Sequence, residues 1–382
     1  MQAVLAAANS MAVVFAILFL LDQGGFGVPD VVLFNLLSFG AATIVCVAMT
    51  RVRPGRARAQ MAAGLTVLAV AYGSYLVLRG WPLLLFVAVA WGAYIPLFFL
   101  PFNALVIGIT GPEDRAGKIG SFILTYTAVG IAGPYVGGIL VDRLGYDALF
   151  AIAAGILAVD LGFVLRLREG RRRIRFRFAF RAVGVRTSAA LLAEGGFEGI
   201  AFGVVPILAY GFTQKAVDLG GLFSLFALAG GVMTVALGVW SDRLRNRRPF
   251  LLAGAACSTL ASLLVVGARS LGEFAAGQSL LALTASLAPL FLFTIAIERV
   301  PGSPASVIAT RELLLNAGRT ASLAACFVLV SFGLTAQHAF LLAAVSLAFV
   351  ALGDPRGLRP AEVAQGIPGD NGTAREKGRK GR

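Results

Sequence analysis

"RLREGRRRIRFRFAFRAVGVR", residues 166–186, carries nine Arg against one Glu and divides two apolar stretches of similar length. Before it, apolar segments occur at 3–21, 29–50, 61–79, 82–109, 117–141 and 146–167. After it, they recur at 188–212, 219–241, 249–268, 272–297, 304–333 and 335–353. About 20 apolar residues suffice to cross a bilayer as a helix. Most of these segments are apolar all round rather than alternating, so they read as helices and not as barrel strands. The basic stretch thus splits twelve spans into six and six.

Composition points the same way. The 382 residues are 58% hydrophobic and only 14% charged, with a mean hydropathy of +0.85, whereas soluble domains carry about 25% charged residues. A net charge of +14 would suit a nucleic acid, but the Arg residues cluster in short loops between apolar runs. That arrangement encodes membrane topology, and no nucleic-acid partner is expected. Cys46, Cys257 and Cys326 stand singly in apolar runs without a CxxC, so neither a disulfide nor a metal site is expected. The first run lacks a basic leader and reads as a retained span rather than a signal peptide. No phosphate-binding G-x-x-x-x-G-K-[ST], no HExxH and a single His, His338, leave no catalytic set or cofactor site in view.

The loops orient the chain. "RVRPGRAR" (51–58), the central stretch and "DRLRNRR" (242–248) fall on one side, while "DQGGFGVPD", "RGW", "DRLGYD", "TQKAVD" and "RSLGE" are nearly neutral. The positive side faces the cytoplasm by the positive-inside rule. The expectation is a multi-pass protein of the inner or plasma membrane with both termini cytoplasmic. It divides into a first six-helix bundle (1–167), a basic linker (168–187), a second bundle (188–353) and a disordered tail (354–382) poor in large apolar residues. In the linker, Arg alternates with Ile or Phe ("RRRIRFRFAFR"), a pattern suited to lying on anionic headgroups.

The halves also match each other. "VAMTRVRPGR" aligns with "GVWSDRLRNRR" when Thr50 meets Asp242, and "AGKIGSFILTYTAVGIAGPYVGGILV" aligns with "ASVIATRELLLNAGRTASLAACFVLV" when Ala116 meets Ala305. A six-plus-six repeat about an axis along the membrane normal is a transporter architecture. On three motifs the chain resembles the major facilitator superfamily, over residues 1 to about 353, and is closest in motifs to its drug/proton antiporter-like branches. "GVWSDRLRNRR" (238–248) is similar to the family's loop signature G-x-x-x-D-R-x-G-R-R, with Arg245 in place of the second Gly. The resemblance implies a cytoplasmic latch built on Gly238, Asp242 and Arg243. In the first-half copy Cys46 and Thr50 replace the Gly and Asp. "GIAGPYVGG" resembles the G-P-x-x-G-G element of the antiporter branches, through Gly133, Pro134, Gly137 and Gly138, with Gly130 one residue nearer than usual. Small residues there allow close helix approach and Pro frees a carbonyl, so a packing seam is the first reading of this motif. "GPEDRAGKIG" with "DRLGYDALF" completes the resemblance. One feature departs from it: where the antiporter branches place an Arg in span four, this chain has Ala88.

Ionisable groups inside a bilayer are costly and are functional candidates by default. Asp160 and Lys118 lie near span ends. Glu194 and Glu198 share one face of span seven ("LLAEGGFEGIAF"), and Arg311, Glu312, Asn316 and Arg319 enter span eleven ("TRELLLNAGRTASLAACFVLV"). The depths match, predicting one polar cluster in the inner half of the second bundle. Three carboxylates against two guanidiniums leave one carboxylate over as a proton carrier, and Glu198, the deepest acid of span seven, is the choice. The competing reading is a network that only locks helices together or gates the cytoplasmic end. Trp91, Tyr94, Asn103, Tyr126 and Gln278 are candidate cavity-lining residues, although aromatics of span four serve packing as readily.

The expected protein is an all-α membrane protein of two pseudo-symmetric bundles. The resemblance implies a monomeric secondary active transporter that moves a small-molecule substrate, with the proton as coupling ion and efflux of a hydrophobic or amphipathic compound as the leading reading. Uptake of a small organic, anionic solute with Arg311 or Arg319 as counter-ion is the alternative. A non-transporting sensor or lipid-handling protein is the reading from another class.

Overall fold

A computed structural model of the chain describes residues 2–52, 54–109, 115–167, 173–241, 248–286, 292 and 304–351. The first half comprises α1 (Gln2–Asp22), α2 (Val28–Arg51), α3 (Ala57–Ser74) and α4 (Gly80–Ile109), followed by a helical stretch, Arg115–Leu165. Gly145, at φ 83° and ψ 171°, breaks that stretch into α5 (115–144) and α6 (146–165). The second half comprises α7 (185–212), α8 (Ala216–Ser241), α9 (Arg248–Gly267), α10 (Leu271–Ala285), α11 (Pro304–Ser331) and α12 (Ala339–Val350). Seven described helices are long and apolar enough to cross a membrane by length and composition.

Two departures from simple spans have local causes. The turn from α5 to α6 shrinks to one residue because Gly145 occupies backbone space that a Cβ excludes. Gly145→Ala is expected to cost about 1–3 kcal/mol, read as a lower unfolding midpoint in detergent. The seventh span is broken into Val185–Gly203 and Val205–Phe212. Pro206 lacks the N–H that would close the helical ladder there, and Val204 sits at φ −109°.

Inside the first half, Phe19 meets Tyr75, Tyr146 and Phe150 edge-on at centroid separations of 5.2, 5.4 and 5.7 Å. These rings tie α1, α3 and α6 together at the neutral end. Tyr94, in the middle of α4, is buried, and its hydroxyl accepts a hydrogen bond from Asn9 Nδ2 (2.9 Å), whose Oδ1 accepts from Tyr72 (3.1 Å). Tyr94 and Phe98 are thus packed within the first-half core. At the neutral end of the second half, Phe274 stacks on Phe212 at 5.1 Å.

The halves meet along α2–α11 and α5–α8. In the repeat, α2 corresponds to α8 and α5 to α11, so these are two copies of one contact, seen from opposite halves. Their chemistry differs. Between α5 and α8 backbones touch: a Cβ on Gly138 would stand 2.4 Å from the Ala216 carbonyl oxygen, and one on Gly220 2.4 Å from that of Pro134. Between α2 and α11 the contact runs through side chains, including the Thr43 and Thr320 hydroxyls 3.4 Å apart.

Candidate functional site

The G-P-x-x-G-G element is a packing seam on two sides. A Cβ on Gly133 would stand 1.9 Å from Ser10 Oγ, and one on Gly137 2.2 Å from the Met11 carbonyl oxygen, so α1 fits against this face. Gly138 and Pro134 face α8 on the other side. Gly130 stands apart: among the described residues nothing comes within 4 Å of where its Cβ would be. With Ala116 set against Ala305, Gly130 is the first-half counterpart of Arg319. The same position thus holds open space in one half and a guanidinium in the other.

In the second half, glycine again sets the geometry. A Cβ on Gly195 would lie 2.2 Å from the Leu315 carbonyl oxygen, one on Gly318 2.0 Å from that of Leu192, and one on Gly199 2.8 Å from Arg319 Cα. Residues 195, 199 and 203 recur every four residues and make one helical face. That face draws α7 against α11 closely enough for Glu194 and Glu198 to reach the α11 cations.

Arg311 donates from Nη2 to Glu194 Oε1 at 3.3 Å and from Nη1 to Glu312 Oε1 at 3.2 Å. Arg319 donates to Glu198 Oε2 from Nε (3.0 Å) and Nη2 (2.5 Å), and from Nη1 to Asn316 Oδ1 at 2.7 Å. All six residues named from the sequence are thereby bonded, in two groups of three: Arg311 with Glu194 and Glu312, and Arg319 with Glu198 and Asn316. The pairing corrects one expectation: no carboxylate is left over, because Arg311 serves both Glu194 and Glu312 while Arg319 holds Glu198. Among the described residues, Glu194 Oε2 has no protein donor and Asn316 Nδ2 has no acceptor. Glu194 lies inside the α7–α11 seam at 1% exposure, beside Gly195, whereas Glu198 faces Arg319.

The cluster also looks outward to the first half. The Arg319 guanidinium carbon lies 5.2 Å from the ring centroid of Phe39 on α2 and 5.8 Å from that of Phe202 on α7. Both are within range of a cation–π interaction. Phe39 in turn meets Trp91 edge-on at 6.3 Å. Phe39, Phe202 and the seam glycines escaped the sequence reading. The G-x-x-x-G-x-x-x-G spacing at 195, 199 and 203 was the available signal for the seam. Nothing local marks Phe39 among 28 Phe residues.

The remaining candidates scatter. Trp91 is half-buried and lines a small pocket inside the first half with Ile17, Phe34 and Tyr72. Asn103 is half-buried on α4, and Gln278 is buried on α10 with Oε1 lacking a protein donor. Asn35, on α2, donates to the Gly203 carbonyl at 3.4 Å, bridging the halves beside the α7 break. Gly238 lies in the last turns of α8. Asp242, Arg243, the Tyr126 and Lys118 side chains and the tail 354–382 lie outside the described residues, so the latch motif's geometry does too.

No family model matches the chain. An uncharacterized protein of Bacillus subtilis (strain 168), YqgE, is 27% identical over 314 residues, which cover 74% of this chain and 69% of that protein. Among solved structures, the human organic anion transporter MFSD10 (TETRAN) superposes with a TM-score of 0.65 at 17% identity, covering 92% of this chain and 98% of its own. A variant of the E. coli fucose:proton symporter FucP superposes at 0.62 with 13% identity, covering 92% and 95%. Paired contacts between repeated halves, a run of apolar helices and superposition over nearly the whole length agree, and the chain has the fold of the major facilitator superfamily.

Proposed function

We propose that the protein is a secondary active transporter working by alternating access, in which proton entry drives efflux of a small hydrophobic or amphipathic compound. The observation that carries this reading is the buried Glu194, one oxygen on Arg311 and the other without a donor among the described residues. A buried acceptor left unsatisfied is costly. A proton on Oε2 removes the buried charge, and a donor group on a substrate would satisfy the oxygen. Neutralising Glu194 also weakens its hold on Arg311, which then pairs with Glu312 alone. Because α11 packs on α2, such a shift reaches the contact between the halves. By the positive-inside rule, the basic loops support a cytoplasmic side for this end of the cluster.

A second reading has a specific observation of its own. Arg319 lies against Phe39 across the interface between the halves, where a small organic anion could take the guanidinium from Glu198. Uptake of such an anion would use the same residues with the opposite sign of substrate charge.

Flux in proteoliposomes separates these readings. With a pH-sensitive dye inside, lipophilic cations and small organic acids are offered in turn to the wild type, Glu194→Gln, Arg311→Ala and Arg319→Ala. Efflux coupling predicts that a lipophilic compound moves protons in the wild type and that Glu194→Gln abolishes this movement. Anion uptake predicts that an organic acid is transported and that Arg319→Ala removes its saturable binding. If Glu194→Gln and Arg311→Ala leave the flux of every transported compound unchanged, the network only locks α7 to α11.

A further inference from the structure

Over residues 173–178 the linker turns its apolar side chains into the protein rather than toward lipid. Residues 173–178 alternate: Arg173, Arg175 and Arg177 are exposed, while Ile174, Phe176 and Phe178 turn into the protein. Phe176, 1% exposed, completes a cluster of Cys46 and Met49 from α2, Leu100 from α4, and Ile308 and Ala309 from α11. That socket is drawn from both halves. The linker is tied to the first half by the Ile174 N–H, which donates to the Gly55 carbonyl at 3.0 Å. It is tied to the second half by the Ala179 N–H, which donates to Thr310 Oγ1 at 2.8 Å.

We propose that residues 173–179 are a latch: seated, they hold the basic end of the α2–α11 contact shut, and they leave the socket before that end opens. Five residue steps separate the two ties, and an extended chain spans at most about 3.3–3.6 Å per residue. The ties therefore limit how far Gly55 and Thr310 separate before one of them breaks. Phe176 reaches only one wall of the socket once α2 and α11 part. The exposed arginines keep the outer edge of the extended segment in water, so it has no second seat on the apolar surface. This inference concerns the end of the molecule and stands apart from the proton scheme.

Cys46 supplies the readout, since it is fully buried in the same socket as Phe176, its Sγ 3.7 Å from the Ala309 carbonyl. In the full chain carrying Cys257→Ala and Cys326→Ala, reconstituted in nanodiscs, a water-soluble maleimide reports how often the socket opens. Phe176→Ala is expected to raise the Cys46 labelling rate about tenfold or more, the scale of one lost buried aromatic. Thr310→Val, which removes one tie, raises it less. A second arm closes the latch. Gly55 and Ile174 form an antiparallel bridge, a spacing within disulfide reach, so Gly55→Cys with Ile174→Cys, once oxidised, should slow Cys46 labelling, and reduction followed by reductant removal should restore it. Unchanged labelling in a folded Phe176→Ala protein overturns the latch. So does a formed Gly55–Ile174 cross-link that leaves the Cys46 rate unaltered.

Discussion

Arg319→Ala is expected to destabilise the protein by about 3–5 kcal/mol, because removing one partner of a buried pair strands the other. Glu198 would lose both N–H donors at 3.0 and 2.5 Å, and Asn316 Oδ1 would lose its donor at 2.7 Å. Neither side chain of the pair is more than 17% exposed, so water compensates little. Unfolding in detergent measures the loss. The paired variant Arg319→Met with Glu198→Leu keeps volume and removes both charges, and such replacements are often neutral in stability. It is therefore expected to recover most of the lost midpoint. If the single variant unfolds like wild type, the pair carries no stability. If the paired variant is both stable and active, the pair is dispensable for transport.

Gly318→Ala is expected to be damaging too, by about 1–3 kcal/mol, since overpacked interiors respond by strain or displacement. Its Cβ would stand 2.0 Å from the Leu192 carbonyl oxygen, a backbone atom that moves only if α7 moves with it. Parting the two helices would also stretch the Glu194–Arg311 and Glu198–Arg319 pairs. Gly130→Ala is the control, with nothing among the described residues within 4 Å of its Cβ. There Ala should be neutral or stabilising by up to about 1 kcal/mol, as expected from helix propensity. Equal midpoints for the two alanine variants would contradict the seam.

The fold was legible from the chain because lipid imposes it: a span needs a long apolar run, and such runs are hard to mistake. The cluster was legible for the same reason, since charge inside such runs stands out at Glu194, Glu198, Arg311 and Arg319. The partner of each charge was not. Counting three acids against two bases assumes that each cation serves one anion, and Arg311 serves two. Depth in the helix favoured Glu198 as the unpaired acid, but depth says nothing about which residue lies inside the α7–α11 seam. The linker failed for a different reason. Alternating Arg and Phe specify two faces without saying whether lipid or protein takes the apolar one. Only the socket formed by Cys46, Leu100 and Ile308 decides that for Phe176.

The shared Arg311 has an electrical consequence. Glu194, Glu198 and Glu312 against Arg311 and Arg319 leave a formal charge of −1 riding on α7 and α11. One elementary charge crossing the whole membrane field is worth about 2.3 kcal/mol per 100 mV. If rocking of the halves carries the cluster through even about a tenth of that field, the membrane voltage biases the step by about 0.2 kcal/mol per 100 mV. A proton bound at Glu194 brings the cluster to zero and uncouples it from voltage. Under the proton scheme, one half of the cycle then feels the membrane potential and the other is blind to it.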